Sequence, residues 1–447
     1  MANAKPNIIV LFSDQQRWDT LGCYGQKLPV SPNLDAMAAE GTKFNLAFTC
    51  QPVCGPVRAC IQSGKFASEN GCITNNCHLP VDADTIAKRM KGAGYKTGYI
   101  GKWHLASGKN HLCGDYNPNY RIFPVPEELR GGYDYWLASD TLECTSHAYD
   151  GHMFDGDGAV RNFPLGRYRV DAHTDWVLEY LDEQKEGEPF FLFVSYIEPH
   201  HQNDHACYEG PKGSKEYFAI YEIPGDLAGI PGDWVDNYPD YLGCCNALDN
   251  AVGKIREKLN DLGLDENTLV IYTSDHGSHF KTRNREYKRS CHDGCLRVPM
   301  ILDGPGFKGG IENDNLVSLI DLPKTVLKAG NVEIPEDWQG EALQNNLDEN
   351  FIPRDAVFAQ ISENHVGRAI RTQKWKYEVW NPELRGNAIE CNKYYECFLY
   401  DLENDPHERK NLVKAPELES VRSELREILL GKMRQANEEI PEIFPAK

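Results

Sequence analysis

The sequence feature that most constrains the fold is a set of four apolar runs that each end in polar, ionisable residues. They are Asn7–Phe12 followed by Asp14 and Gln15, Tyr95–Gly101 followed by Lys102 and His104, Pro189–Gln202 ending near His200 and His201, and Thr268–Gly277 ending near Asp275 and His276. Continuous apolar runs are typical of strands buried on both faces of a parallel sheet. Because ligands bind at the carboxyl ends of such strands, the sequence predicts an α/β fold with its site at these ends.

The segments between the runs contain helices with ordinary start and stop signals. We predict helices at Ser31–Gly41, with a capping Ser and a Pro at the first position, at Asp82–Gly94 and at Tyr241–Leu262. The region Asn110–Arg169 is rich in Gly, Tyr, Pro and Asp and has little periodicity. We therefore interpret it as loops that decorate the ligand edge of the sheet.

The length of 447 residues predicts two parts, since a single hydrophobic core stops growing at about 250 to 300 residues. We predict a catalytic α/β domain at 1–345 and a C-terminal α+β subdomain at 346–447. From about Phe351 the chain has short strand-like pieces and then a charged helix from Glu417 to about Ala436. This pattern of short strands followed by a helix predicts a small antiparallel sheet with a covering helix.

The formal charge of −20 argues against binding to nucleic acid, which needs clustered Lys and Arg. A site for an anion in such a chain must be built from a local positive cluster. One segment, 281–299, has that character and contains Lys281, Arg283, Arg285, Lys288 and Arg289. For Lys281, Arg283 and Arg285 a solvated face is an equally good interpretation.

The N-terminal apolar segment is about seven residues long, too short to span a membrane, and no cleavage site follows it. We expect no signal peptide and no membrane partner. The fifteen cysteines are odd in number and include the vicinal pair Cys244 and Cys245. Both features favour reduced thiols and a cytoplasmic location.

The strand ends offer a candidate metal site. Asp14, Gln15 and Asp275 supply oxygen donors, which suit Ca²⁺ or Mg²⁺. An imidazole ligand such as His276 slightly favours Mn²⁺ or Zn²⁺. The alternative is structural, with Asp275 capping a turn and Asp14 pairing with an arginine.

Three further ionisable residues end strands. Lys102 and His104 lie two residues apart, so on an extended strand their side chains enter the same pocket. His200 is a candidate as well, with His201 as its competitor.

The segment Cys54–Arg58 reads CGPVR. It resembles the Cys-any-Pro-any-Arg signature of the type I sulfatases, in which an enzyme oxidises the cysteine to formylglycine. Cys50 begins CQPVC, which ends in cysteine where the signature needs arginine. Only Cys54 therefore fits.

Further segments resemble the same family in the same order along the chain. They are FSDQ, SGK after CGPVR, GKWHL, EPH, TSDHG, a lysine nine residues before RVP, and YDLENDPHERKNL at Tyr400–Leu412. The resemblance implies the alkaline-phosphatase-like fold, a mixed, mostly parallel sheet sandwiched by helices, with a small C-terminal subdomain. It also implies a sulfatase-maturating enzyme as a partner.

The resemblance further implies the roles of individual residues. Cys54, converted to 3-oxoalanine (formylglycine), would be the nucleophile. Arg58 and Lys102 would stabilise the diol and the sulfate, and His104 would accept the proton that lets the sulfoenzyme collapse. His200 and Lys288 would bind the ester oxygens and protonate the leaving alcohol. A Ca²⁺ ion, with Mg²⁺ or Mn²⁺ as alternatives, would be held by the set Asp14, Gln15, Asp275, His276 and Cys54.

The predicted function is metal-dependent hydrolysis of a sulfate monoester, and the expected substrate is a carbohydrate sulfate in preference to a simple aryl sulfate. This substrate class rests on the aromatic, Gly-rich rim and on the basic segment. The candidate substrate-binding residues are Lys281, Arg283, Arg285 and His292. His292 occupies a position at which tyrosine is common in the family.

Two other functions stay open from the sequence. A phosphonate or phosphate ester hydrolase of the same superfamily would share most of these positions. A non-catalytic metal- or ligand-binding protein is the lesser alternative, with a thiol cluster of Cys50, Cys54, Cys60, Cys72 and Cys77. Those spacings do not match paired CxxC units.

Overall fold

The computed structural model describes residues 5–184 and 188–446. Residues 1–4, which begin the segment predicted to lack a signal peptide, lie outside this range. The strands are β1 (Asn7–Ser13), β2 (Thr42–Phe48), β3 (Lys96–Lys102), β4 (Gly108–Lys109), β5 (Tyr116–Asn117), β6 (Tyr135–Ser139), β7 (Ser146–His147), β8 (Asp150–Asp155), β9 (Val160–Asn162), β10 (Phe190–Ser195), β11 (Thr268–Ser274), β12 (Met300–Asp303), β13 (Ile311–Ser318), β14 (Val357–Ile361), β15 (Val366–Arg371), β16 (Trp375–Asn381), β17 (Lys393–Asp401) and β18 (Glu442–Phe444).

The helices lie between and outside these strands. They are α1 (Pro32–Glu40), α2 (Cys54–Ser63), α3 (Ala67–Asn70), α4 (Ile86–Gly92), α5 (Leu142–Thr145), α6 (Arg169–Asp182), α7 (Ser214–Tyr217), α8 (Trp234–Asp261), α9 (Asp293–Leu296), α10 (Leu322–Ala329) and α11 (Glu419–Gln435). No helix in the described ranges has both the length and the apolar character needed to cross a bilayer.

The main sheet has eleven strands in the order β13-β2-β12-β11-β1-β10-β3-β6-β8-β7, with β9 paired to β8. Its centre is parallel: β11, β1, β10, β3 and β6 run in one direction. Alternate residues of β1 enter two different apolar clusters, Ile8, Val10 and Phe12 on one face and Ile9 and Leu11 on the other. The sheet is therefore buried on both faces, which confirms the predicted α/β fold and explains the continuous apolar runs.

The C-terminal part forms a second, five-stranded sheet in the order β14-β15-β16-β17-β18. The first four strands pair antiparallel, as predicted, and the short β18 adds a parallel edge to β17. From α11, Leu425 and Leu429 pack into the same apolar cluster as Tyr377 of this sheet. Because that cluster continues to Phe12 in the main sheet, the boundary at residue 345 stays a prediction.

Three predictions from the sequence are wrong. The first is the start of α4, which lies at Ile86 instead of Asp82. Residues 110–169 are not only loops, since β6 pairs parallel to β3 and extends the main sheet. The five residues of β6 are too few to show a period, yet Trp136 and Leu137 face opposite clusters. Helix α8 begins at Trp234 instead of Tyr241 and continues through Pro239. Proline has no backbone N–H and is usually found in the first turn of a helix. The start of this helix was therefore predicted after Pro239, too late in the chain.

Burial of His173 in α6 predicts a loss of stability in acid. Burial lowers the pKa of this imidazole to about 3, whereas an unfolded chain binds the proton near pH 6.5. Lowering the pH below 6.5 therefore favours unfolding through this group, until the folded protein also protonates. Between pH 6.5 and 5 the effect amounts to about 2 kcal/mol.

We expect His173→Gln to lose less unfolding free energy than the wild type between pH 7 and pH 5, by about 2 kcal/mol. Glutamine keeps an amide donor but does not titrate. Urea unfolding at the two pH values measures the difference. Equal losses in the two proteins would show that this imidazole does not govern acid sensitivity.

Candidate active site

The register of the central strands brings the predicted acidic residues together. Ser13 of β1 lies opposite Ser274 of β11, so Asp14 and Asp275 leave neighbouring strands side by side. One oxygen of Asp275, Oδ1, accepts the backbone N–H groups of Gln15 at 2.8 Å and His276 at 2.7 Å. Gln15 has a φ of +69°, a left-handed conformation that is costly for a side-chain-bearing residue and concentrates at functional sites.

Cys54 is the first residue of α2 and is buried against this edge. Its Sγ lies 2.7 Å from Lys288 Nζ, 3.2 Å from His276 Nε2 and 3.3 Å from Asp14 Oδ1. Burial and the Asp14 carboxylate raise the pKa of the thiol to about 12. An unmodified thiol here is therefore protonated at neutral pH and a weak nucleophile.

Arg58 lies one helical turn after Cys54 and so faces the same edge. Its guanidinium donates to Ser195 Oγ at 2.6 Å, to the carbonyl of Lys102 at 3.0 Å and to Asp14 Oδ2 at 3.0 Å. These bonds fix the arginine between the ends of three strands. The fixed guanidinium can stabilise an oxyanion there without reorganising.

Lys102 is fully buried and sits between two carboxylates. Its Nζ lies 2.9 Å from Asp14 Oδ2 and 3.1 Å from Glu143 Oε2. Burial alone would raise the pKa of Glu143, but the Lys102 ammonium lowers it to about 2. The sequence prediction missed Glu143, because it lies on the four-residue helix α5 inside the segment interpreted as loops.

His104 and His200 are buried imidazoles near Lys102. Burial and the nearby Lys102 lower the pKa of both well below its usual value. Nδ1 of each ring has no hydrogen-bond partner within the described residues. Both rings are therefore neutral at physiological pH and able to accept a proton.

The donor atoms around Cys54 fit a divalent metal. The ligand atoms of Asp14, Cys54, Asp275 and His276 lie within 4.8 Å of one another and are buried. Asp275 Oδ2 is buried without a hydrogen-bond partner in the described chain. Burial and the neighbouring Asp14 raise the pKa of Asp275 to about 7, as expected when two carboxylates lie side by side.

Gln15 completes this donor set. Its amide nitrogen donates to Tyr208 Oη at 2.5 Å, which fixes the orientation of the amide group. Its Oε1 is consequently a buried acceptor for which the described residues provide no donor. A hard cation such as Ca²⁺ or Mg²⁺ suits an orphaned amide oxygen beside carboxylates.

The predicted substrate-binding residues make contacts outside the donor set of the metal site. Lys281 pairs with Asp233 at 2.9 Å, and Arg285 is exposed. Arg283 donates to backbone carbonyls of the C-terminal subdomain, and His292 contacts Tyr400 there at 3.1 Å. Their contact with a substrate stays a prediction.

A thiol-based metal site receives no support from the described residues. Among the described residues, two groups of side chains could hold a metal ion. One is Asp14, Cys54, Asp275 and His276, and the other is His147, Asp204 and His205. The two imidazoles of that second group stack at 4.4 Å with an interplanar angle of 10°. Their in-plane lone pairs therefore lie in parallel planes and do not converge on one ion.

Comparison with known proteins gives consistent matches over the whole chain. Residues 6–332 match the family model Sulfatase, and residues 285–435 match the model N-sulphoglucosamine sulphohydrolase, C-terminal. The chain is 30% identical to an ulvan-active sulfatase of Formosa agariphila, over 97% of this chain and 82% of that protein. It is 25% identical to an N-acetylglucosamine-6-O-sulfatase of Bacteroides thetaiotaomicron, over 98% and 88% of the two chains.

A solved structure shares the architecture. A crystal structure of the sulfatase yidJ from Bacteroides fragilis superposes with a TM-score of 0.83 at 25% identity and covers 98% of both chains.

Proposed function

Because the chain belongs to the sulfatase family, we propose that it hydrolyses a sulfate monoester of a carbohydrate with a nucleophile made from Cys54. The observation that carries the proposal is the position of Cys54 Sγ, within 3.3 Å of Asp14, His276 and Lys288. The carbohydrate class is supported by the names of the relatives, which act on ulvan and on N-acetylglucosamine 6-O-sulfate.

A sulfate monoester is a poor electrophile surrounded by negative oxygens, so its site needs fixed positive groups. Arg58, Lys102 and Lys288 supply three of them, each buried and held by neighbouring atoms. A divalent metal held by Asp14, Gln15, Asp275 and His276 would add Lewis-acid polarisation of a sulfate oxygen.

The thiol sulfur of Cys54 marks where the oxygens of a formylglycine would lie. Such a residue, as a hydrate, supplies a nucleophilic hydroxyl and a second hydroxyl that can expel sulfate from within. The neutral His104 would take the proton of that second hydroxyl. A bound sulfate beside His200 would raise the pKa of this imidazole, so that His200 and Lys288 would together bind the ester oxygen and protonate the leaving alcohol.

The proposed reaction is tested by comparing kcat/KM for a sulfate monoester, a phosphate diester and a phosphonate ester. We expect the sulfate ester to have the highest kcat/KM. Sulfated monosaccharides and disaccharides are the first sulfate esters to test. A preference for the phosphonate or phosphate ester would favour the rival hydrolase of the same superfamily. Absence of turnover on all three by enzyme with formylglycine at Cys54 would contradict both.

Metal binding is expected to stabilise the fold. After removal of metal with EDTA, adding free Ca²⁺ at about 100 times its Kd should raise the unfolding free energy by about 2.7 kcal/mol. Asp275→Asn should lose most of this gain, and without metal it should be no less stable than the wild type, because one of two adjacent carboxylates is gone. Thermal unfolding with Ca²⁺, Mg²⁺ and Mn²⁺ in parallel identifies the ion.

The control for this measurement is Asp204→Asn, which removes an exposed carboxylate outside the site. It should keep the full metal-dependent gain. An Asp275→Asn protein that gains as much as the wild type would overturn the ligand assignment.

Conversion of Cys54 by a maturating enzyme and a cytoplasmic location remain part of the proposal. Mass spectrometry of the Cys54 peptide from the native host distinguishes thiol from aldehyde, and cell fractionation reports the compartment. Fully active enzyme with an intact Cys54 thiol would exclude the formylglycine mechanism.

A further inference from the structure

Tyr287 is a buried tyrosine beside the two residues expected to act on the leaving alcohol. It directly precedes Lys288 in the chain, and the Lys288 Nζ lies 5.4 Å from the centre of its ring. The His200 ring meets it edge to face, with centroids 5.8 Å apart and an interplanar angle of 85°. One aromatic ring therefore contacts both residues.

The orientation of His200 depends on this contact. Its Nδ1 is buried and has no hydrogen-bond partner among the described residues. Most imidazoles in active sites are oriented by a hydrogen bond to the second nitrogen. The edge-to-face contact with Tyr287 then restrains the orientation of the His200 ring.

Tyr287 is itself held in place from the opposite side. Its hydroxyl donates to Asn203 Oδ1 at 2.9 Å, and the same oxygen accepts from His201 Nδ1 at 3.2 Å. The His201 ring stacks on Tyr287 with centroids 5.1 Å apart. Burial raises the pKa of the phenol, so it stays protonated and keeps donating.

We infer that Tyr287 is a positioning residue that aligns His200 and Lys288 for protonation of the leaving alcohol, with Asn203 as its anchor. The inference rests on the proposed sulfate ester hydrolysis, and it names a residue that acts through its neighbours and not on the ester itself. His201, which the sequence offers as the alternative to His200, would in this arrangement support the Tyr287 ring.

The test compares leaving groups of different acidity. General acid catalysis contributes about 10² to 10⁴ in rate and matters most when the leaving alcohol is a weak acid. Tyr287→Leu should lose about 100-fold in kcat/KM on a sugar sulfate but less than about threefold on 4-nitrophenyl sulfate, whose leaving group needs little protonation. Tyr287→Phe keeps the ring but loses the hydrogen bond to Asn203, so its loss on the sugar sulfate should be smaller than that of Tyr287→Leu, with little loss on 4-nitrophenyl sulfate.

A matched control is Tyr394→Leu, which removes a buried tyrosine from the C-terminal sheet. Its losses, if any, should be equal for the two esters. An equal loss for Tyr287→Leu would overturn the positioning role and leave only a structural one.

A second readout does not depend on turnover. The ¹⁵N-edited signals of the His200 imidazole, assigned with His200→Gln, should shift in Tyr287→Leu and stay nearly unchanged in Tyr394→Leu. Unchanged His200 signals in Tyr287→Leu would contradict the inference. If the wild type hydrolyses neither ester, the proposed function fails, and the imidazole signals still decide the role of Tyr287.

Discussion

Cys54→Ala is expected to lower kcat by at least about 10³-fold while the protein still folds, because it removes the proposed nucleophile. The side chain is small and buried, and its sulfur contacts Asp14, His276 and Lys288 at the strand edge. The circular dichroism spectrum should stay unchanged. Turnover of a sulfate ester, normalised to folded protein, measures the effect.

A suitable control is Cys50→Ala. Cys50 lies four residues earlier, is equally buried and packs in the apolar cluster of the main sheet. It fails the signature at its last position, so its replacement should leave kcat within about twofold after correction for folded protein. Equal losses in the two variants would indicate damage to the segment and not to the nucleophile, and full activity of Cys54→Ala would refute the mechanism.

Wild-type chain produced without a maturating enzyme gives a further comparison. It should fold like the active enzyme and hydrolyse little, since burial and Asp14 keep the thiol protonated at neutral pH.

The residues at the strand ends could be predicted from sequence because their positions follow from strand periodicity. Asp14 and Asp275 end apolar runs that can only be central strands, and parallel pairing then places them side by side. Lys102 follows the same logic on β3. The placement of these residues could therefore be predicted without knowledge of the loops.

The residues that surround this centre could not be predicted in the same way. Glu143 lies on a single helical turn, and Tyr287 acts through the geometry of its ring. Arg289 and Glu363 form an ion pair between the two parts of the chain, each in a left-handed backbone conformation. No local pattern encodes contacts between segments so far apart, which arise only from tertiary packing.

The Arg289–Glu363 pair also indicates why the C-terminal subdomain belongs to the site. Glu363 Oε1 accepts the backbone N–H of Asn75 at 2.6 Å, and Asn75 Oδ1 accepts the N–H of Gly55 at 2.9 Å. The subdomain is thus joined by hydrogen bonds to the residue after Cys54. Its packing helps to fix the start of α2 relative to Lys288.

Lys102→Met is expected to lower kcat/KM by about 10² to 10³, the usual cost of removing one fixed donor to a developing oxyanion. It should also destabilise the fold by about 3 to 5 kcal/mol, because Asp14 and Glu143 lose the cation buried between them. Lys102→Arg should not restore activity, since a planar guanidinium cannot replace a compact ammonium in a closed site.

The two effects of Lys102→Met can be separated with a matched lysine. Lys376 is also fully buried between two carboxylates, Asp293 and Glu408, in the C-terminal part of the molecule. Lys376→Met should lose a similar unfolding free energy but keep kcat/KM within about threefold when corrected for folded protein. Denaturant unfolding and steady-state kinetics on both variants give the comparison. If the two variants lose activity equally, Lys102 supports the fold and its contribution to sulfate binding is refuted; if only Lys102→Met does, its charge acts on the sulfate.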